Sequence, residues 1–511
     1  MGENNSFLLA YITLFSIISV NFTNAQEKLS QEQQPASIGK KGLNNPIVDT
    51  GQVICYDNSR EIPYPKPGQP FYGQDAQYEG NVPSYRDNGD GTVTDLNTSL
   101  MWSKAVDKKK VSLIEAKKIA KKMTLGEYTD WRVPNIKELY SLVDFRGNTG
   151  FSQEGFHSGA PENAVPFINT DYFDFEYGDV KAGERYIDAQ WLSSTKYVST
   201  TMHGSETLFG VNFADGRIKG YGYQIPGSSR EKKFFVRYVR AGPYGENNFV
   251  DNGNGTITDQ ATGLMWMQKD SGKAMSWEQA LEFAENLLYA GYDDWRLPNA
   301  KELEYIVDYS RSPDTTGSPA IDPIFQTTSI VNEAGEKDYP YFWTPTTHLD
   351  GPNPGANAVY VAFGRALGKM RGRIMDVHGA GAQRSDPKTG RPTSRGPQGD
   401  IIRVNNYIRC VRGDSVKIRI SKPLEDKNKY PYNVKINRGV SQQGQRGPRH
   451  PSGRRGFIER LDRNGDGKIS RSEFDGPKDR FDYHDKNNDG YITEDEAPKG
   501  PPPRGGRPPR P

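Results

Sequence analysis

The feature that most constrains this chain is that a long stretch of it is written twice. DNGDGTVTDLNTSLMW, from Asp87 to Trp102, returns as DNGNGTITDQATGLMW, from Asp251 to Trp266, 164 positions later. YTDWRVPNIKELYSLVDF (Tyr128 to Phe145) returns as YDDWRLPNAKELEYIVDY (Tyr292 to Tyr309) at the same offset. WLSSTKY from Trp191 aligns with WTPTTHL from Trp343, and VRYVRAG around Arg237 with IRCVRG around Arg409. This alignment places six of the seven tryptophans in three pairs, Trp102/Trp266, Trp131/Trp295 and Trp191/Trp343. Solenoid units run about 20–50 residues, so copies of this length read as two complete domains.

Each copy carries the same local signals. NGDG and NGNG between extended residues mark a tight hairpin. A calcium reading of that turn is the weaker one: counting from Asp87, positions 3 and 5 are Gly89 and Gly91, and the second copy has Asn254 where the first has Asp90. Ser112 with Glu115, Ser276 with Gln279, Asn135 with Glu138 and Asn299 with Glu302 have the spacing of capping boxes, which predicts four helix starts. Leu139, Leu142, Val143 and their counterparts Leu303, Ile306, Val307 recur at helical spacing and predict a buried face. The remainder reads as short strands and long loops closing on VRxVR, so each copy is α+β. The paired tryptophans read as core, and Arg132 and Arg296 as fold-holding contacts at least as well as ligand contacts.

DNGDGTVTD…LMW, DWR(V/L)PN…EL and the closing R(Y/C)VR resemble the C-terminal domain of the Legionella collagen-like (Lcl) adhesin. The leader DTGQVICYDN…FYGQDAQY also looks like what precedes that domain, so the resemblance runs from Asp49 to Gly413. It implies two tandem C-type-lectin-like domains and binding of sulfated or anionic glycans, the ligand class of the named member. The family leader often has a second cysteine where this chain has Pro63, Tyr64 and Pro65, so Cys55 lacks its local partner. The E-P-N, Q-P-D and W-N-D calcium motifs of true C-type lectins are missing; Pro161, Glu162 and Asn163 read P-E-N. Glycan contact would then rest on Arg and Lys hydrogen bonds to sulfate or carboxylate and on aromatic stacking.

A second motif stands near the C-terminus. DRNGDGKISRSE (Asp462 to Glu473) and DKNNDGYITEDE (Asp485 to Glu496) fit the twelve-residue EF-hand loop, in which a hard cation collects six to eight oxygens. Asp462, Asn464, Asp466 and Asp485, Asn487, Asp489 take positions 1, 3 and 5. Gly467 and Gly490 make the turn, Lys468 and Tyr491 offer carbonyls, Ser470 and Thr493 bind through water, and Glu473 and Glu496 close the shell. The expected cofactor is Ca2+, held weakly at ~10⁻⁵–10⁻³ M. Ile469 and Ile492 should bridge the two loops over a small core of Phe457, Ile458, Leu461, Phe474 and Phe481.

The rest of the chain sets the address. Phe7 to Val20 is an apolar run too short for a comfortable membrane span but suited to a signal peptide, followed by small residues before Gln26. The expected layout is a signal peptide at 1–25, a flexible spacer at 26–48, the first copy with its leader at 49–243 and the second at 249–413. A basic linker at 414–456, an EF-hand pair at 457–498 and a Pro/Arg-rich tail at 499–511 follow. The fold class is thus α+β: two lectin-like domains plus a small α-helical EF-hand pair. Residues 415–456 hold eleven Lys/Arg against two acids, a tract able to hold polyanions or to serve as a solvated linker. The whole chain carries only +2, which argues against nucleic acid as a partner. Cys55 and Cys410 are either one long-range bridge or two small buried hydrophobes; the sequence leaves both open. No G-x-S-x-G, H-E-x-x-H or Walker loop appears. The expectation is a secreted or cell-surface binding protein, non-enzymatic, with a secreted enzyme or a structural envelope protein as rivals.

Overall fold

The computed structural model describes residues 45–106, 109–225, 228–413, 416–423, 458, 461–462, 466–474 and 478–497. The expected signal peptide, most of the spacer and basic linker, Phe457, Asn464 and the tail lie outside these residues. Two compact units result, one within Met1–Val440 and one within Ser441–Pro511. The architecture is strand-rich α+β.

Each copy opens with a hairpin and closes by returning to it. In the first copy Tyr85–Asp87, Thr92–Asp95 and Met101–Ser103 form an antiparallel meander, and Val239–Arg240 joins its free edge. Trp102 therefore sits between Val93 and Val239. In the second copy Phe249–Asp251, Thr256–Asp259, Leu264–Met267 and Val411–Arg412 repeat the arrangement, with Trp266 between Ile257 and Val411. The turn is built as the sequence indicates: the Asn88 amide donates to the Thr92 and Thr94 hydroxyls at 2.8 and 2.9 Å, and Asn252 to Thr256 and Thr258 at the same distances. Gly89 and Gly91 stand at φ 79° and 86°, a region a side chain disfavours.

The four capping boxes all form, starting helices α1 (Leu113–Lys122), α2 (Ile136–Ser141), α3 (Trp277–Glu285) and α4 (Ala300–Tyr305). A buried arginine just before each closing strand holds the copy shut. Arg237 donates to the Lys104 and Asp174 carbonyls at 2.7 and 2.6 Å, and Arg409 to the Met267 carbonyl at 2.8 Å. Each guanidinium lies 4.9 Å from a phenylalanine ring, Phe173 or Phe325. Burial pulls them down to about 9 and about 10.

A second sheet follows in each copy: Gln190–Thr201, Ser205–Asn212 and Arg217–Gly222, then Tyr341–His348, Asn357–Ala362 and Gln383–Pro387. Its register corrects the tryptophan pairing. Trp191 faces Val211 and bridges Phe235; the residue that faces Val361 and bridges Tyr407 is Phe342. The Ser193 and Thr344 hydroxyls likewise donate to Phe209 and Val359. Trp191 thus corresponds to Phe342, and Trp343 to Leu192. A one-residue shift along a strand changes face, so the shared tryptophan is a coincidence of letters. The second copy also inserts strands Leu367–Met370, Arg373–Asp376, Thr393–Arg395 and Asp400–Ile402, which form their own sheet.

The copies do not stand apart. One buried apolar cluster runs through Trp102, Trp191, Trp266 and Trp343. The contact is reciprocal, as in a two-fold dimer. Lys137 Nζ donates to the Tyr305 and Gly245 carbonyls at 2.5 and 3.1 Å, while Lys301 Nζ donates to Ser141 and Asp49 at 2.9 and 3.0 Å. Both Lys137/Lys301 and Ser141/Tyr305 are 164 residues apart. The leader breaks this symmetry. It leaves the interface at Asp49, whose carboxylate accepts from Gly51 and Gly80 at 2.7 and 2.6 Å, and the chain between those glycines folds over the second copy. The link from Gly245 to Phe249 has no room for such an excursion.

Where the second sheets meet, charge is buried. Gly220 N donates to the His378 carbonyl at 2.9 Å, Arg217 pairs with Asp350 at 2.5 Å, and His348 Nε2 lies 2.8 Å from the Asp215 carbonyl. Burial pushes His348 down to about 3 and His378 to about 4. Tyr197 OH donates to Asp376 at 2.8 Å, and burial raises Asp376 to about 7.

The fold therefore prefers Asp376 protonated. Its contribution is full below the ordinary aspartate pKa of about 3.9 and is lost as pH rises through about 7. Asp376→Asn keeps an acceptor for Tyr197 and removes the titration. The thermal midpoint of the wild type should fall more between pH 5 and pH 8 than that of the variant; parallel profiles would refute the assignment. Some slope should persist in the variant, because burial also raises Asp75, Asp386 and Glu304 to about 7.

Candidate functional site

In the small unit the loop residues are arranged by their own backbone. Asp462 accepts from Gly467 N at 2.8 Å and Asp485 from Gly490 N at 2.9 Å, which folds position 6 back on position 1. Gly467 and Gly490 take φ 81° and 85°. Asp466 and Asp489 accept from the N–H of Lys468 and Tyr491, and Asn487 accepts from Asp489 N at 2.9 Å. The closing glutamates turn inward: Glu473 accepts from the Ser470 hydroxyl at 2.7 Å, and Glu496 from the Thr493 hydroxyl at 2.9 Å and the N–H groups of Lys486 and Asn487 at 3.0 and 3.2 Å. The Thr493 N–H, donating to Glu496 at 3.0 Å, together with the Thr493 hydroxyl and the other two N–H groups, holds the Glu496 carboxyl below its ordinary range. Glu473, Asp485 and Glu496 have little exposed surface. Ile469 pairs with Ile492 across the two-stranded bridge over Ile458, Leu461 and Phe481, and Phe474 packs against them. Helix α5 (Lys478–His484) connects the loops. These side chains offer oxygens, the set a hard divalent cation takes, but among the described residues no three acidic, His or Cys side chains are drawn together as a metal cluster.

In the large unit the sequence reading missed a cleft of about 570 Å³ on the first copy, bounded by the start of α1 and the chain before the closing strand. Ser112, Glu115, Tyr221, Arg230, Lys232 and Lys233 line it. Lys233 pairs with Glu115 at 3.2 Å, whereas Lys232 is half-buried and burial lowers its ammonium pKa. The run Arg230-Glu231-Lys232-Lys233 was visible, but nothing in it indicated that the chain folds back beside α1.

The other residues singled out earlier are structural. Asp87 and Asp90 accept hydrogen bonds inside the hairpin turn from Gly89 and Thr92. The paired tryptophans Trp102, Trp266, Trp131 and Trp295 are buried. Arg132 and Arg296 grip Glu138 and Glu302 through two bonds each, at 2.6–2.7 Å. The same glutamates cap α2 and α4 through the Asn135 and Asn299 N–H. The two pairs differ in surroundings: the Arg132 side chain is 39% exposed and that of Arg296 only 5%, because the leader's Tyr78 covers the latter at 5.6 Å. Cys55 and Cys410 are free and buried, and burial pushes the Cys55 thiol up to about 12. Of the two readings left open, the small buried hydrophobe is the one seen.

The fold defines a tandem-repeat α+β protein whose chain continues, C-terminally in sequence, into one small loop-and-bridge unit. A family model described as the Lcl C-terminal domain matches residues 91–240 and again 255–377, more than half of the chain, and the chain belongs to that family. The closing strand of the second copy, Val411–Arg412, lies beyond the second match. No curated protein and no solved structure matches the chain.

The unequal cover of the two arginines gives unequal costs. Glu302→Gln leaves a buried guanidinium without its counter-charge and should cost about 3–5 kcal/mol, whereas Glu138→Gln leaves Arg132 partly to water and should cost less, about 1–3 kcal/mol, the penalty falling on the buried cap that Glu138 makes to Asn135. Urea unfolding of both variants measures the difference, and equal losses would show that the leader does not seal Arg296.

Proposed function

We propose that this chain is an exported, surface-associated, calcium-binding protein whose lectin-like Lcl domains bind sulfated or anionic glycans or similar surface polymers without turning them over. The family supports the surface role. The observation that carries the binding reading is the first-copy cleft, where Lys232 is partly desolvated and among the described residues has no carboxylate partner; Tyr221, Arg230 and Lys233 line the cleft with it, and its two carboxylates, Glu115 and Glu231, are engaged by Lys233 and Tyr223. A sulfate or carboxylate entering there gains a charge-assisted hydrogen bond, and a sugar face gains an aromatic wall.

In the small unit Asp462, Asp466 and Glu473 would hold one Ca2+ through oxygen and Asp485, Asn487, Asp489 and Glu496 a second; Asn464 is assigned to the first loop from its sequence position alone, and carbonyls of Lys468 and Tyr491 and waters on Ser470 and Thr493 would add to the two sets. Bound Ca2+ would neutralise the loop carboxylates and tie both loops to the Ile469–Ile492 bridge. Its role in this reading is to stiffen the module rather than to sense calcium, since the unit's apolar core is small.

Two measurements test the two halves separately. Lys232→Gln together with Lys233→Gln should weaken heparin binding at least about tenfold at moderate salt, with a shallower salt dependence; undiminished binding would exclude the cleft. Asp462→Ala with Asp485→Ala should abolish the calcium-induced rise in the melting temperature of the small unit and the heat of calcium titration, and persistence of either would reject the ligand set.

A further inference from the structure

The reciprocal packing of the copies creates two related clefts, each between the start of one copy's short helix and the residues after the end of the other's. The leader fills one of them. There Thr346 Oγ1 accepts from Ala300 N at 3.0 Å and donates to the leader's Asp75 at 2.6 Å. One residue on, the leader's Gln52 reads the strand edge: its Oε1 accepts from Thr347 N at 3.1 Å, and its Nε2 donates to the carbonyls of Thr347 and, at 3.2 Å, Phe145. The leader is thus held by a hydroxyl, one backbone amide and two carbonyls.

The related cleft on the first copy has the same framework. Thr195 Oγ1 accepts from Ile136 N at 3.0 Å, as Thr346 does from Ala300. Among the described residues its own proton has no acceptor. Lys196 faces Leu208 across the sheet as Thr347 faces Ala358, both on an edge strand, so the shared register turns its N–H and C=O to the open side. Tyr309 takes the place of Phe145, 164 residues on. The space between is an open cleft of about 390 Å³, walled by Thr195, Phe249, Val307, Asp308, Tyr309 and Ser310. It stays open because the link Gly245–Phe249 runs straight into the hairpin, whereas the leader makes its excursion between Gly51 and Gly80.

We infer that this cleft docks an extended polypeptide segment of a partner protein, which supplies a glutamine or asparagine carboxamide to Lys196 and Tyr309 and a hydrogen-bond acceptor to Thr195. The edge on either side of Lys196 is already bonded, Ser194 N to the Pro134 carbonyl and the Val198 carbonyl to the Thr315 hydroxyl, so the segment is recognised at this one residue through a side chain, as Gln52 is on the twin site, while the flanking pocket selects that side chain. The carboxamide matches the complementary N–H and C=O pair of one residue, as Gln52 shows on the twin site. Asp308 and Asp322 border the cleft, and the Lys137 ammonium that also lines it is spent on Gly245, Asn247 and Tyr305, so the segment carries no excess of acid. The site is separate from the basic cleft beside α1.

The probe is a synthetic peptide of the leader sequence Gly51–Asn58 with Cys55→Ser, added to the full chain, alongside a version in which the Gln52 position is alanine. Binding should saturate below about 1 mM, and the alanine peptide should bind at least about fivefold more weakly, the value of one good hydrogen bond. A photo-crosslinker beside the glutamine should label the Thr195–Lys196 and Tyr309 segments. Thr195→Val should weaken binding about fivefold. Ser310→Trp, at the exposed rim, should block it while leaving the melting curve and heparin binding unchanged. No binding at 1 mM, equal binding of both peptides, or binding undiminished in a folded Ser310→Trp variant would each overturn the inference.

Discussion

The return of each copy's last strand to its first hairpin is the contact on which the large unit depends. It pairs Val239 with Trp102 and Val411 with Trp266 across most of the length of each copy. Such a pairing carries a heavy loop-closure cost. The fold offsets it with a wholly buried tryptophan on one side of the closing strand and a buried arginine just upstream. Arg237 and Arg409 use carbonyls rather than carboxylates as partners, so the same side chain that closes the copy also satisfies the loop backbone that the closure buries.

Duplication then gives the molecule an internal partner. Lys137 and Lys301 each reach across to the end of the other copy's helix, so the interface is built from one set of residues used twice. What differentiates the halves is added chain. The leader covers Arg296 and Thr346 on the second copy, and among the described residues nothing equivalent covers Arg132 and Thr195 on the first. The inserted strands of the second copy bring Asp376 and Asp400 to the seam, where they meet Tyr197, His378 and Arg384. Both open clefts of interest, the basic one beside α1 and the one over Thr195, lie on the side that additions left bare.

Much of this was legible. The hairpins, the four capping boxes and the closing strands are local or strictly repeated, and short-range spacing encodes them: Ser112 finds Glu115 whatever surrounds them. The alternating oxygens of the C-terminal loops and the Ile469–Ile492 bridge were readable for the same reason. Trp191 was paired with the wrong residue because side-chain identity is a poorer guide than register, and register shows only when the neighbouring strand is known.

The sequence by itself determined that two equivalent α+β copies exist, where their helices begin, and which residues form the two oxygen-rich turns, since each is a matter of residues a few positions apart or of a repeat. Only the tertiary structure decided that the copies share one core, that Cys55 and Cys410 lie apart as buried thiols, and that one half of a symmetric interface is plugged while the other is open. Those outcomes join residues separated by a hundred positions or more, and no local pattern records which distant surface a chain will meet.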